Sequence, residues 1–411
     1  MSVNNFLKEK EMKKFLNVVL VFVMVLAIAM TVQAQAELVV KDESDYVHMT
    51  MDELYQEALK EAAEGKTLVA YSNSSSISKS ATLFMETYPG ITVEGTKIKA
   101  DALEEKIPLE YEGSPYVDVI VMSDSNGSLY LDWYRKGYVI AYYPDSIVDD
   151  LIPEYAAYGL PITIEGDVWY YNTTAFPDGC PVTNWWDLVE MKEDGTSVYT
   201  IIGHPISNLS TSSLLTTLVL NADQLEADYM EKYGEPLEYT YPDDLGVEEN
   251  NAGYEWIYRF LQTSYVENND GDEIIAAVNE STAENPMIGF ASSLKHGDAL
   301  DLGETVDTIR TMSFNGIGKT KYVYQFSKAD NPAGARLFTM FMMGGEEGTG
   351  KGYDAWVKRM GCYPTRKSVD AMGWNEYSYD ELNVLPIDLE AVNYNYLDVV
   401  DFYTYFAEEL R

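Results

Sequence analysis

The sequence predicts an α/β protein of two domains, each built on a mostly parallel, doubly wound sheet. Three observations carry that expectation. Short apolar runs recur ahead of clusters of small polar residues, and each cluster opens a segment with helical periodicity. This strand, polar loop and helix unit occurs near residue 70 and returns near residue 200. The chain has 411 residues, which exceeds one domain of roughly 100 to 200 residues.

Taken in order, Lys13 and Lys14 precede an apolar run over residues 15–30, and Ala34-Gln35-Ala36 follows with small residues around a polar one. This reads as a cleavable secretory leader over residues 1–36, with Met1 or Met12 as its start. The run is short for a membrane span of roughly 20 residues, and no cysteine follows it to carry a lipid. A periplasmic or extracellular address is expected. The net charge of −39 disfavours nucleic acid and anionic membrane surfaces as partners. Cys180 and Cys362 lie in no CxxC or His-x-Cys pattern, so no metal site, redox motif or cofactor is expected. An oxidising compartment leaves two readings for them, a disulfide or two separate buried thiols.

Residues 37–65 form an N-terminal extension whose helix carries Met51, Leu54, Ala58 and Ala62 on one side, stops at Gly65, and is expected to pack outside the first domain. Leu68 to Tyr71 read as a buried strand, while Ile77, Ala81, Phe84 and Tyr88 mark the stripe of a helix. Ser72, Asn73, Ser74 and Ser75 therefore sit between a strand end and a helix start, where free N–H groups and the helix dipole can hold a ligand. Their plainer role is a helix cap from Ser75 or Ser76. Strands are expected at 91–98 and 117–122, with a helix at 101–109 between them. The third strand ends in Ser123 and Asp124. Ligands of such sheets bind off the carboxyl ends of strands, so these two loops are expected close together.

A helix over 129–136 and a loop through Pro153 and Pro161 lead to a strand at 168–172, which carries Trp169 into the second domain, with Tyr170 and Tyr171 as packing residues. Trp185 to Leu188 read as a helix start. A strand at 198–202 opens the second polar loop, with His204, Ser207, Ser210 and Thr211, ahead of an apolar helix at 214–220. Residues 221–253 read as surface excursions. Asn269 to Asp272 resemble part of a calcium loop but lack its ligand spacing, so Asp272 is expected to cap a helix. The strand 287–291 ends at Ser292 and Ser293, with His296 beyond; both loop histidines have an ordinary surface role as their alternative. A helix starts at Asn331-Pro332, and helices on either side of a turn at 363–366 complete the chain.

The order of ELY…EG at 53–65, YSNSS at 71–75, VDVIVMSD at 117–124, WYYNT at 169–173, NPAGARLF at 331–338 and GCYPTR at 361–366 resembles extracellular solute-binding proteins of ABC importers. The chain is most similar to the branch that includes binders of ferric ion and of phosphorylated solutes. The resemblance implies the type II periplasmic-binding fold, with two lobes closing on a ligand and crossing strands between them. Lobe 1 would comprise 66–160 and about 318–360, and lobe 2 would comprise 161–317 and about 361–411. Both cysteines would then lie on one rigid body. It further implies a monomer that delivers a small solute to a membrane permease and is not an enzyme. Ferric binders of the branch are similar in carrying adjacent tyrosines after the strand that corresponds to 287–291, whereas this chain has Ser292-Ser293. A small polar or anionic solute is therefore expected, with ferric ion as the alternative. A secreted hydrolase is the more distant one: the chain has three histidines and neither a GxSxG elbow nor an HExxH pair.

Overall fold

The computed structural model describes residues 41–242 and 246–410; the expected leader lies outside them. The N-terminal apolar runs form β1 (Leu68–Ser72), β2 (Val93–Lys97) and β3 (Val119–Ser123), parallel strands linked by helices α2 (Ser76–Thr87) and α3 (Ala100–Glu112), with α1 (Met51–Ala63) ahead of them. After β4 (Val139–Ile140) comes β5 (Leu160–Asn172), thirteen residues long and buried throughout. The second parallel set is β6 (Thr200–Gly203), β7 (Ser264–Glu267) and β8 (Met287–Ser292). Helices α4 (Leu209–Leu220), α5 (Ala222–Tyr233), α6 (Ala252–Phe260) and α7 (Gly271–Glu280) lie between these strands. The chain continues through α8 (Leu294–Leu302), β9 (Val306–Thr308), β10 (Gly316–Phe326), α9 (Pro332–Met342), α10 (Lys351–Val357), β11 (Cys362–Pro364), α11 (Tyr379–Leu382), β12 (Leu385–Pro386) and α12 (Leu389–Leu410).

One sheet links both sets in the order β2-β1-β3-β10-β5-β8-β6-β7. Its two central strands, β10 and β5, run antiparallel to each other and to their outer neighbours β3 and β8. Two apolar cores flank this centre. Leu160, Ile162 and Val323 belong to the core that α1, α2, α9 and α10 build with β1 and β3, through side chains such as Leu54, Phe84, Phe338 and Tyr353. Trp169 and Ile317 belong to the other, which holds Trp185, Trp256, Leu214, Leu218 and Phe402 from α12. This is the type II periplasmic-binding architecture, with two lobes and two crossing strands.

Local chemistry fixes the first core. Thr50 and Glu53 form a capping box on α1, and the Glu61 carboxylate of that helix accepts the N–H groups of Ala333 and Gly334, both at 2.9 Å, so α1 caps α9. Asp42 meets Arg336 at 2.6 Å. Buried Asp118 accepts from Val69 N, Asn331 N and Asn331 Nδ2, which ties β1, β3 and α9 together. The extension thus packs on α9 as part of the fold.

Several expectations need correction. Residues 222–233 are helical, with Leu225 and Tyr229 buried, although their acidic composition reads as surface. Trp185 to Asp187 make only a 3-10 turn, opened by a capping box of Asn184 and Asp187 and not continued as a helix. Asp270, not Asp272, caps α7. β5 begins eight residues earlier than expected and runs through Pro161, since β10 supplies a partner from 150 residues away. The two cysteines are free, so the bridge is not formed. Cys362 Sγ is 2.5 Å from Thr163 Oγ1 and 3.2 Å from the Trp356 carbonyl, whereas Cys180 Sγ donates to the Val182 carbonyl at 3.2 Å. Burial pushes the Cys362 thiol up to about 11. Alkylation without reductant is expected to add two labels to the denatured protein and to spare Cys362 in the native one. A denatured, unreduced chain that takes no label would show a bridge after all.

Candidate functional site

Strand register determines which polar residues meet. Cross-strand partners share a face of a sheet, and so do alternate residues of one strand. On β5 this joins Thr163, Glu165, Asp167 and Trp169. From β10, Lys321 pairs with Thr163 and Lys319 with Glu165; Ser123 at the end of β3 pairs with Lys321, and Ser292 at the end of β8 pairs with Asp167. The carboxyl ends of both parallel sets therefore converge on one face of the two crossing strands. Their rims stand four β5 residues apart, about 13 Å at the usual strand rise.

That face carries four charges where the flanking stretches carry core residues. Asp167 is 2 % exposed and Glu165 7 %. Lys319 Nζ lies 2.7 Å from Asp167 Oδ1 and 4.0 Å from Glu165 Oε1, and Lys321 Nζ is 3.9 Å from the same Glu165 oxygen. Burial alone would push Glu165 up, yet the fields of Lys321, Lys319 and Arg359 outweigh it and hold the carboxyl below its usual range. Burial likewise disfavours charged Lys319, and Asp167 and Glu165 reverse that, raising it. Glu165 and Lys319 are each held in their charged form. Gly316 opens β10 at φ +146° against β5, where a Cβ would collide with the Asp167 carbonyl oxygen.

Around this floor the structure collects part of the expected set. Lys319 Nζ reaches Ser210 Oγ at 3.4 Å. His204, whose Nδ1 is 2.9 Å from the Asn268 carbonyl, feels both Asp167 and Lys319, and burial pulls its pKa down. Ser213 of α4 donates to the Ser125 carbonyl at 2.6 Å, so the helix that follows the second polar loop touches the loop after β3. Ser72 ends β1 fully buried, its hydroxyl accepting from Ser74 N, and Ser74 accepts from Ser76 N. Ser74 rather than Ser75 or Ser76 thus serves the start of α2; Ser75 is exposed and makes no cap bond. Asn73 Oδ1 is buried without a hydrogen-bond partner among the described residues. Ser207 is exposed on its loop.

Other expected residues are committed elsewhere. Asp124 accepts from Gly127 N at 2.8 Å and Tyr130 N at 2.9 Å, so it braces its own loop while burial pushes it up to about 7. Thr211 Oγ1 donates to the His204 carbonyl. Trp169 shares the charged face but is roofed by Thr211, Leu214 and Leu215 and belongs to the apolar core. Ser293 donates to the Gly361 carbonyl and accepts from Gly166 N. His296 stacks on Tyr377 and packs against Tyr170, on the opposite face of β5 from Asp167. Sequence reading missed Glu165, Asp167, Lys319 and Lys321. Their alternate spacing puts them on one face only once each stretch is known to be a strand, and that depends on the distant β5–β10 pairing.

Two α/β lobes joined by crossing strands, with polar strand ends facing a charged floor, define a two-lobed binding protein. The chain belongs to the bacterial extracellular solute-binding proteins, whose family model matches residues 47–346. Its fold is similar to the apo ferric ion-binding protein A of Pasteurella haemolytica (14 % identity, 83 % of this chain and 97 % of that one, TM-score 0.58). It is also similar to AfuA of Actinobacillus pleuropneumoniae, solved with fructose-6-phosphate (14 %, 83 % and 98 %, TM-score 0.57), and to MotA of A. tumefaciens B6, solved with glucopine (12 %, 83 % and 100 %, TM-score 0.56). No curated protein sequence matches the chain.

Replacing Lys319 by Met leaves Asp167 charged, buried and without its cation, which is expected to cost about 3 to 5 kcal/mol. Lys319→Met with Asp167→Leu is expected to regain most of that loss. Equilibrium urea unfolding measures both, and a single variant as stable as wild type would mean that water already solvates the pair.

Proposed function

We propose that this protein is the solute-capturing component of an ABC importer, exported by its leader, and that it closes two lobes on a small polar or anionic molecule above the β5–β10 crossing and hands it to a membrane permease. The observation that carries this is the convergence of Ser123, Ser292, Ser210 and His204 on the buried charges of the crossing strands. In this reading lobe 1 is built from 66–160 and about 318–360, and lobe 2 from 161–317 and about 361–411. The two apolar cores support most of this split, although Ile162, Val369 and Trp374 pack with the core of lobe 1. The protein acts as a monomer and performs no chemistry on its solute. The resemblance implies a tyrosine in ferric binders where this chain has Ser292, and a serine hydroxyl in place of a phenolate suits hydrogen bonding better than a hard trivalent ion. Glu165 and Asp167 are almost wholly buried, so the solute enters through lobe opening and is sequestered on closure.

A thermal-shift panel of sugars, sugar phosphates, polyols, organic acids, polyamines and ferric salts tests the reading. A true ligand at about 100 times its Kd is expected to stabilise the protein by roughly 2.7 kcal/mol and to compact it in small-angle scattering. An unshifted melt across the whole panel, with no compaction, would contradict capture.

A further inference from the structure

An ionised carboxylate is an acceptor on both oxygens and has nothing to donate. Buried acceptors are satisfied in nearly all native proteins, and an unsatisfied charged one is costly, so each such oxygen calls for an explanation. Here two occur together, on alternate residues of one strand. Glu165 Oε2 and Asp167 Oδ2 are both buried and have no hydrogen-bond partner among the described residues. The lysines do not serve them. Lys319 Nζ lies against the other oxygen of Asp167, and Lys321 Nζ stands 3.9 Å from the other oxygen of Glu165, which is beyond hydrogen-bond reach.

Resting on the capture reading above, we infer that the solute is hydroxyl-rich and that Glu165 and Asp167 receive its hydroxyl hydrogens. A bare oxyanion fails at this floor, because it brings acceptors and negative charge to two carboxylates. An ammonium can donate to them but adds a positive charge beside Lys319 and Lys321. A hydroxyl donates and accepts at once, so one hydroxyl can give its hydrogen to Glu165 and take one from Lys321. Alternating acid and lysine on the two paired strands suits a run of hydroxyls, as in a sugar or polyol, and an anionic substituent would lie toward the lysines and the serine loops.

Titration calorimetry tests this with D-mannitol, myo-inositol, D-glucose and D-glucose 6-phosphate as hydroxyl probes, putrescine as the amine, and inorganic phosphate and sulfate as bare oxyanions. Wild type is expected to bind at least one hydroxyl probe. Glu165→Gln and Asp167→Asn, which each replace a receiving oxygen by a donor group, should weaken that probe on the order of 10- to 100-fold. Should Glu165→Gln lose its cooperative melt, Glu165→Gln with Lys321→Gln removes the charges as a unit and takes its place. A hydroxyl probe held equally well by both variants overturns the inference, as does a wild type that binds putrescine alone. Binding of oxyanions only, with compaction, overturns the inference and leaves capture standing. No binding and no compaction with any probe overturns both.

Discussion

Four charged side chains are held out of water at the centre of a sheet whose flanks are apolar. Desolvating a carboxylate or an ammonium costs several kcal/mol even after relaxation, and a hydrophobic pair at Asp167 and Lys319 would relieve it. The chain retains the charges where β5 and β10 cross, and Leu160, Ile162 and Val323 on one side and Trp169 and Ile317 on the other supply the burial that offsets them. Stability thus comes from the two cores, while the segment between them is free to be polar. The same arrangement keeps the floor rigid, because each charge sits on a strand paired on both sides.

The rest of the architecture follows from that crossing. Each parallel set points its strand ends at the floor, so polar loops that could face anywhere are gathered within a small span. Helix starts come with them, at Ser76 and Leu209, and bring the positive ends of their dipoles to the same region, while Ser74 and Asn208 hold the Ser76 and Ser210 N–H groups. The extension strengthens the scaffold from behind. Glu61 and Asp42 pin α9, and Asp118 pins α9 to β1 and β3. Neither group is near the floor, which separates holding the lobe together from holding a solute.

Much of the fold was legible because it is local. The runs at 68–71, 117–122 and 287–291 are nearly continuous in apolar residues and end in small polar ones, so their strands and loops could be placed from spacing alone. The central strands were not. Lys319-Thr-Lys321 and Glu165-Gly-Asp167 look like loop text, and what makes them strands is a partner some 150 residues distant, which no local pattern records. The site divides in the same way. Ser123, Ser210, Ser292 and His204 could be found as strand-end residues, but which hydroxyls are spent internally depends on contacts. Ser293 is consumed by Gly361 and Gly166, and Asp124 by the turn that follows it. His296, on α8, faces away because it packs against Tyr170, whose side chain lies on the other face of β5 from Asp167.

The central claim is that the β5–β10 crossing is where a solute is read. The most direct measurement is a crystal structure of the protein with a solute bound at saturation. Donor atoms of that solute within hydrogen-bond distance of Glu165 Oε2 and Asp167 Oδ2 are the predicted result. A solute held by the serine loops or in another cavity, with both oxygens still unpartnered, would contradict the account.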